Sequence, residues 1–250
     1  MNRFKILLAA GTALGLLSAV SAQAATPVAL ELSLLIDTSG SVDSSEFALQ
    51  RNGYVNAFNS AAVQTAIANL SGGIAVNLIQ WSGANQQAQV VGWTHVTDAA
   101  SATAFATNVS NFQFGNAFSG QTAPGSAINY ATPLFFNNDY TGARLVIDVS
   151  GDGTQNDGAN TAAARDAAVA QGIRINGLPI GDSSLAAWYA SNIQGGTNSF
   201  TLPVSDFAGF NQAIQQKLVA EITNTPVPEP ATMALLGIGL LGLGYVRRRG

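Results

Sequence analysis

The chain has 250 residues, enough for one large domain or two small ones. Its net charge is −4, but half of the ten basic residues lie near the two ends, so residues 26–226 hold thirteen acids against five bases. An acidic body repels phosphate backbones, which argues against a nucleic-acid partner. The chain has no Cys and one His, which excludes disulfides, thiol nucleophiles and Cys-type zinc sites and argues against histidine-based catalysis.

The first 25 residues have the three parts of a secretory signal peptide. Arg3 and Lys5 form a short basic start, residues 6–20 form an apolar run, and Ala22–Ala24 reads Ala-Gln-Ala, a cleavage signal. The alternative is a membrane anchor that stays attached. We expect residues 1–25 to be removed and the body to be exported.

The last residues contain a second apolar segment. Residues 224–230 form a linker with the motif Pro-Glu-Pro, residues 231–246 carry no charge, and Arg247–Arg249 follow. At about 1.5 Å per residue a helix over this run reaches roughly 24 Å, slightly short of a hydrocarbon core of about 30 Å. Tilting and arginine snorkelling can close that gap. By the positive-inside rule the arginines stay in the cytoplasm, so the sequence predicts a short transmembrane helix with the body outside.

The Pro-Glu-Pro motif, the apolar run and the arginine cluster occur in the same order as in the PEP-CTERM sorting tail of exported Gram-negative proteins, which this segment resembles. The resemblance covers residues 227–250: a Val-Pro-Glu-Pro motif, a Gly- and Leu-rich apolar helix and a terminal Arg cluster. It implies processing by an exosortase, an integral-membrane transpeptidase-like enzyme. The implied route is transient anchoring in the inner membrane, then release to the cell surface or extracellular matrix, where such proteins often accompany exopolysaccharide.

Between the two ends, short apolar strands alternate with helical patterns. The predicted strands are 29–36, 74–81, 88–96, 145–149, 173–180 and 199–203, and the predicted helices are 45–68, 98–108, 124–136, 161–171, 185–192 and 207–222. Buried-type strands alternating with helices are typical of a parallel sheet covered on both faces. We therefore expect one doubly wound, Rossmann-like α/β domain over 26–223, with a mostly parallel six-stranded sheet, one antiparallel edge strand and helices on both faces.

Three loops at predicted strand ends or helix starts carry oxygen side chains. Asp37, Ser39 and Ser41 alternate directly after the first strand, Thr122 precedes a helix, and Asp152 follows another strand. In open α/β sheets, ligands meet the loops at the carboxyl ends of the strands. Hydroxyl and carboxylate oxygens suit a hard divalent cation such as Mg²⁺.

Each of these segments also has a purely local interpretation. Asp37-Thr38-Ser39-Gly40 and the Gly-rich segment around Asp152 are common turn compositions, and Thr122 can cap the helix that follows it. Asp43 and Glu46 have the spacing of a capping box, so we assign them to helix capping rather than to metal binding.

The same residues resemble the metal-ion-dependent adhesion site (MIDAS) of von Willebrand factor A (VWA) domains. That family has Asp-x-Ser-x-Ser, then a Thr, then an Asp, and here these positions are Asp37, Ser39, Ser41, Thr122 and Asp152. The resemblance spans nearly the whole body and is nearest to a bacterial VWA-like subgroup of unknown function. It implies that the hydroxyls coordinate Mg²⁺, Mn²⁺ or Ca²⁺, and that the carboxylates bind the ion or hold its waters.

A vacant position on such an ion accepts a carboxylate from a partner protein or an acidic glycan. The resemblance therefore implies binding rather than catalysis, in an exported surface or matrix protein. Gly151 stands where the family more often has Thr, which leaves Asp152 in register.

Two other functions stay open at this point. One is a structural matrix protein that binds no metal. The other is a metal-dependent phosphatase of the haloacid-dehalogenase type, but Ser39 stands where its acid–base Asp belongs and no Lys lies near Asp152. The chain also lacks a Gly-x-Ser-x-Gly elbow and a Gly-Lys-Ser/Thr phosphate loop, so we expect that it is not an enzyme.

Overall fold

The computed structural model describes residues 24–112, 118 and 120–225. Within these residues the strands are β1 (Thr26–Val28), β2 (Leu30–Asp37), β3 (Ile74–Trp81), β4 (Gln87–Val96), β5 (Tyr140–Gly142), β6 (Leu145–Gly151) and β7 (Ile173–Pro179). The helices are α1 (Ser44–Asn59), α2 (Ala61–Ala68), α3 (Ala99–Asn111), α4 (Pro124–Ala131), α5 (Thr161–Val169), α6 (Ser183–Asn192) and α7 (Phe210–Thr223), and a 3-10 helix spans Thr132–Phe136.

The central sheet has the strand order β4-β3-β2-β6-β7. All of its neighbouring strands pair in parallel except β3 and β4, which are antiparallel. The predicted mostly parallel α/β fold with one antiparallel edge strand is therefore confirmed. A separate parallel pair of β1 and β5 was not predicted.

Both faces of the sheet are buried under helices. Leu32 and Leu34 of β2 pack on one side with residues of α1, α2, α3 and α7, whereas Leu35 packs on the other side with residues of α4, α5 and α6. Successive side chains of a strand point to opposite faces, so a strand covered on both sides must be apolar at most positions. This explains why β2 has no exposed residue.

The prediction of six strands in this sheet is wrong. Within the described residues the sheet has five strands. The segment predicted as a strand at 199–203 forms a single bridge, Gly177 with Thr201, and a second bridge, Ile180 with Val204, lies just beyond it. Leu202 and Val204 donate their N–H groups to the carbonyls of Gly177 and Pro179 in β7. Pro179 itself has no N–H to donate back between the two bridges, so a continuous ladder is interrupted there.

Two predicted helices are each divided. Residues 45–68 form α1 and α2 because Ser60 has an extended backbone and its side chain caps α2. Residues 124–136 form α4 followed by a 3-10 helix, which contains Pro133. Proline removes an N–H from the helical ladder, so the α-helix ends just before it.

The predicted cap of α1 is confirmed. The Asp43 carboxylate accepts hydrogen bonds from the N–H groups of Ser45 and Glu46, and the Glu46 side chain accepts one from the Asp43 N–H. Both side chains therefore serve the helix start.

Of the predicted signal peptide at 1–25, only residues 24 and 25 are among the described residues. The predicted tail at 231–250 lies wholly outside them. No helix in the described part of the chain is long and apolar enough to cross a membrane.

Candidate metal centre

The first loop of the candidate site begins at the end of the central strand. Asp37, the last residue of β2, is fully buried. Its Oδ1 accepts a hydrogen bond from the Ser39 N–H at 2.7 Å, which folds the chain into a tight Asp-initiated turn. The Oγ atoms of Ser39 and Ser41 then lie 3.3 Å apart.

Two distant segments complete the cluster. Thr122, just before α4, donates from Oγ1 to Ser39 Oγ at 3.4 Å, across 83 positions of sequence. Ser41 Oγ donates to Oδ1 of Asp152, directly after β6, at 2.6 Å and across 111 positions. The structure therefore joins the three segments in a continuous chain of oxygen contacts, from Thr122 through Ser39 and Ser41 to Asp152.

The fifth predicted residue, Asp37, supplies a buried carboxylate beside this cluster. Within the described structure its Oδ2 is buried and receives no hydrogen bond. Burial raises the pKa of Asp37 to about 7, the Ser39 N–H opposes this rise, and the negative charge of Asp152 adds to it. A cation at the cluster would favour the ionised form of Asp37 and lower its pKa.

Backbone and amide contacts hold the three segments in register. The Gly40 N–H donates to the Gly120 carbonyl at 2.8 Å, which ties the first loop to the second. The Gly120 N–H donates to Ser82 Oγ at 2.9 Å, and the Thr122 N–H donates to Asn156 Oδ1 at 2.8 Å. Ser82 and Asn156 thus position Thr122 and its loop.

These two positioning residues were not predicted from the sequence. Ser82 directly follows β3, so its place at a strand end was visible in the sequence. Asn156 lies in the loop after β6, but no spacing rule connects it to a threonine 34 positions earlier.

The packing around Gly151 leaves no room for a side chain. A Cβ at this position would lie 2.6 Å from Asp37 Oδ2 and 2.8 Å from the Tyr189 hydroxyl oxygen. Tyr189 is fully buried, and in the described structure its hydroxyl has no hydrogen-bond partner. The tyrosine hydroxyl therefore approaches the region that a threonine side chain would occupy at this position.

The donor set fits a hard divalent cation. Three hydroxyls and two carboxylates are oxygen ligands of the kind that Mg²⁺, Mn²⁺ and Ca²⁺ prefer. Ser41 is exposed and Asp152 is half-buried, while the other three ligand candidates are buried, so the cluster opens to solvent on one side. The described residues contain no group of three or more His, Cys, Asp or Glu that could hold a metal; this cluster has only two such residues.

Comparison with known proteins decides the family. Residues 27–226 match the model of a family described as "Protein of unknown function (DUF1194)". The chain belongs to the DUF1194 family. No curated protein matches the chain significantly.

Solved structures similar to this DUF1194 protein are of the VWA type. Proximal thread matrix protein 1 from the mussel byssus, in a form with a zinc-occupied MIDAS motif, has a TM-score of 0.59 and 13% identity over 80% of this chain and 49% of that chain. BatB from Bacteroides thetaiotaomicron has a TM-score of 0.51 and 16% identity over 78% of this chain and 100% of that chain.

The pilus adhesin SpaC from Lactobacillus rhamnosus GG has a TM-score of 0.55 and 12% identity, covering 78% of this chain and 30% of that chain. The DUF1194 protein thus spans about half of the byssus protein and less of the adhesin. At these identities the comparisons establish a VWA-like fold.

The tail is identified separately. Residues 226–249 match the PEP-CTERM protein-sorting motif, which confirms the resemblance seen in the sequence. The motif implies export, exosortase-type processing and membrane-associated sorting in Gram-negative bacteria.

Proposed function

We propose that the DUF1194 domain is an exported binding module that recognises its partner through a divalent cation. Asp37, Ser39, Ser41, Thr122 and Asp152 would hold this cation. The observation that carries the proposal is the series of oxygen contacts of 2.6–3.4 Å that joins Ser39, Ser41, Thr122 and Asp152 from three separate segments.

A purely structural role explains this cluster less well. Turns and helix caps are satisfied by contacts within their own segment, whereas Thr122 and Asp152 turn toward hydroxyls of the first loop. A buried carboxylate oxygen without a hydrogen bond, as in Asp37, costs free energy unless a cation or a proton compensates it.

The side chains have different tasks in this proposal. Ser39, Ser41 and Thr122 present hydroxyl oxygens as ligands, while Asp37 and Asp152 bind directly or orient ligand waters. A bound Mg²⁺, Mn²⁺ or Ca²⁺ would supply a coordination position for a carboxylate oxygen of the partner. The exposed side near Ser41 leaves a partner's carboxylate free to approach.

The chemistry of the partner follows from this arrangement. A hard cation prefers a carboxylate oxygen, so the ligand is a protein or a glycan with an accessible carboxylate. Such a module suits the cell surface or the extracellular matrix, to which the body would pass after transient anchoring in the inner membrane.

The first test is cation binding by the purified protein, measured by isothermal titration with Mg²⁺, Mn²⁺ and Ca²⁺. Asp152→Asn should weaken or abolish the heat of binding. Asp98→Asn is the matched control, because it makes the same charge change at the cap of α3. This variant should bind the cation like the wild type. A folded wild-type protein that binds none of these ions would overturn the proposal.

The second test is capture of surface and matrix components, with and without a chelator. Capture that is lost with chelator and with Asp37→Asn supports the binding module. Capture that survives both changes supports a structural matrix protein instead. Steady hydrolysis of a phosphate ester with Mg²⁺, lost in Asp37→Asn, would support the phosphatase-like alternative.

A further inference from the structure

A second group of charged side chains lies inside the domain, away from the candidate metal centre. Asp148 is in the middle of β6, and Lys217 and Glu221 are one turn apart on α7. The Lys217 Nζ lies 2.7 Å from Asp148 Oδ1 and 2.5 Å from Glu221 Oε1. All three side chains have zero exposure.

The group is surrounded by protein on every side. Asn176 pairs with Asp148 across β6 and β7, and its Nδ2 donates to Glu221 Oε1 at 2.8 Å. The ring of Phe200 lies with its centroid 5.5 Å from Lys217 Nζ. Leu34, the β2 partner of Asp148, is also fully buried.

The charges of this buried group do not balance. Two carboxylates face one ammonium, and each buried charge carries a desolvation penalty that its partners must offset. Burial raises the pKa of Asp148 to about 7, with a further rise from the charge of Glu221 and an opposing effect of Lys217. This rise favours the protonated form of Asp148.

The contact between Lys217 and Asp148 is close but is not aligned as a hydrogen bond. In the described structure neither carboxylate oxygen of Asp148 receives a hydrogen bond, although the Lys217 nitrogen is 2.7 Å from one of them. Glu221, by contrast, accepts a hydrogen bond from Lys217. The amine is thus hydrogen-bonded to one carboxylate while it lies against the other.

From this arrangement we propose that Lys217 and Asp148 condense into an intramolecular isopeptide bond, with Glu221 as the proton acceptor. The bond would join the middle of β6 covalently to α7. It is independent of the candidate metal centre.

The reaction balances without any co-reactant. The Lys217 ammonium gives one proton to the Glu221 carboxylate, and the neutral amine attacks the carbonyl carbon of the protonated Asp148 side chain. The new C–N bond forms, the C–OH bond breaks, and one water molecule leaves. The products are an amide and a protonated Glu221, so the net charge of the group stays zero.

Two physical factors favour this step in the folded chain. Holding an amine against a carboxyl group converts a bimolecular reaction into an intramolecular one, with effective concentrations of about 10⁵ M or more. The apolar surroundings favour the neutral forms of amine and acid that must react, and they favour replacing an ion pair by an amide. An exported chain without Cys also has no disulfide to stabilise it.

Mass spectrometry of the full chain, expressed with export and digested with trypsin under denaturing conditions, tests the bond. The expected product is a branched peptide that joins Leu145–Arg165 to a peptide beginning at Ile175. Its mass should be lower by one water than the sum of the two, and trypsin should not cut after Lys217. Finding only linear peptides, cut normally after Lys217, would overturn the proposal.

Two variants keep the test independent of misfolding. Lys217→Arg retains the positive charge but replaces the amine by a poor nucleophile, and Glu221→Gln retains hydrogen bonding but removes the proton acceptor. Both should fold, as judged by circular dichroism, and both should give linear peptides. A bond formed at the normal rate in Glu221→Gln would contradict the role of Glu221 as proton acceptor. A mass loss of ammonia rather than water would show that Lys217 had reacted with Asn176, and would overturn the assignment of Asp148.

Discussion

Two carboxylate pairs in this domain lie in different environments, one open to solvent and one fully buried. At the edge of the sheet, Asp37 and Asp152 belong to a cluster that opens to solvent and contains only neutral hydroxyls besides them. Inside the domain, Asp148 and Glu221 flank Lys217 and have no access to solvent. The first pair needs a cation from outside, whereas the second faces the Lys217 amine of its own chain.

The difference shows how location determines the chemistry of identical groups. An open site can exchange a cation and a partner's carboxylate, so its charges suit recognition. A closed site can exchange nothing, so its charges must be neutralised by a neighbour, by a proton or by a covalent bond. Four changes to the chain test this comparison.

The largest expected effect comes from Lys217→Met. It removes the side chain that both buried carboxyl groups contact, together with any covalent link through it, which should reduce the free energy of unfolding by about 3–5 kcal/mol. Urea denaturation measures this value. Adding Asp148→Asn and Glu221→Gln should restore most of the loss, and a Lys217→Met protein as stable as the wild type would contradict the internal pairing.

The outer pair should respond to cation and pH together. Without cation, the pKa of Asp37 is raised from 3.8 to about 7 in the folded protein. As the pH rises between these two values, the unfolded chain releases this proton before the folded protein does. The free energy of unfolding should therefore fall over this range. Saturating Mg²⁺ at about one hundred times its Kd should add about 2.7 kcal/mol. This gain should shrink below about pH 7, as protons compete for Asp37.

Thermal or urea unfolding at about pH 5 and about pH 8, with and without Mg²⁺, separates these contributions. Asp148 also has a pKa of about 7, but it lies on the other face of the sheet and should not respond to Mg²⁺. In Asp37→Asn the Mg²⁺-dependent gain should disappear at both pH values. A Mg²⁺-dependent gain in stability that persists in Asp37→Asn would show that Asp37 does not contribute to cation binding.

Gly151→Thr tests the close packing beneath the outer pair. The new Cβ would meet Asp37 Oδ2 and the Tyr189 hydroxyl at less than 3.0 Å, which should cost about 1–3 kcal/mol of unfolding free energy. Combining it with Tyr189→Phe should recover part of this cost, and strictly additive effects would show that the two side chains do not meet.

The smallest effect separates capping from metal binding. Asp43→Ala removes the cap of α1 and should cost about 1 kcal/mol. Cation binding, measured by titration, should be unchanged, because the Asp43 side chain serves the helix start. A large loss of Mg²⁺ affinity would instead place Asp43 among the ligands.

The convergence of the outer residues was predictable because they occur in patterns that the sequence displays. Asp37, Ser39 and Ser41 alternate after an apolar strand, and Asp152 follows another strand, so a parallel sheet must bring them to one edge. The inner group was not predictable. Asp148 stands in a segment read as an apolar strand, and nothing in the spacing of Lys217 and Glu221 on α7 indicates which strand they face.

The sequence by itself determined the alternation of strands and helices, the sorting tail and the five oxygen-bearing positions, because periodicity and local motifs depend on neighbouring residues. Only the tertiary structure decided that Ser82 and Asn156 hold the Thr122 loop, that Pro179 interrupts pairing with a sixth strand, and that Lys217 lies between two carboxylates. These features depend on which segments pack together, and such contacts join residues that are dozens of positions apart.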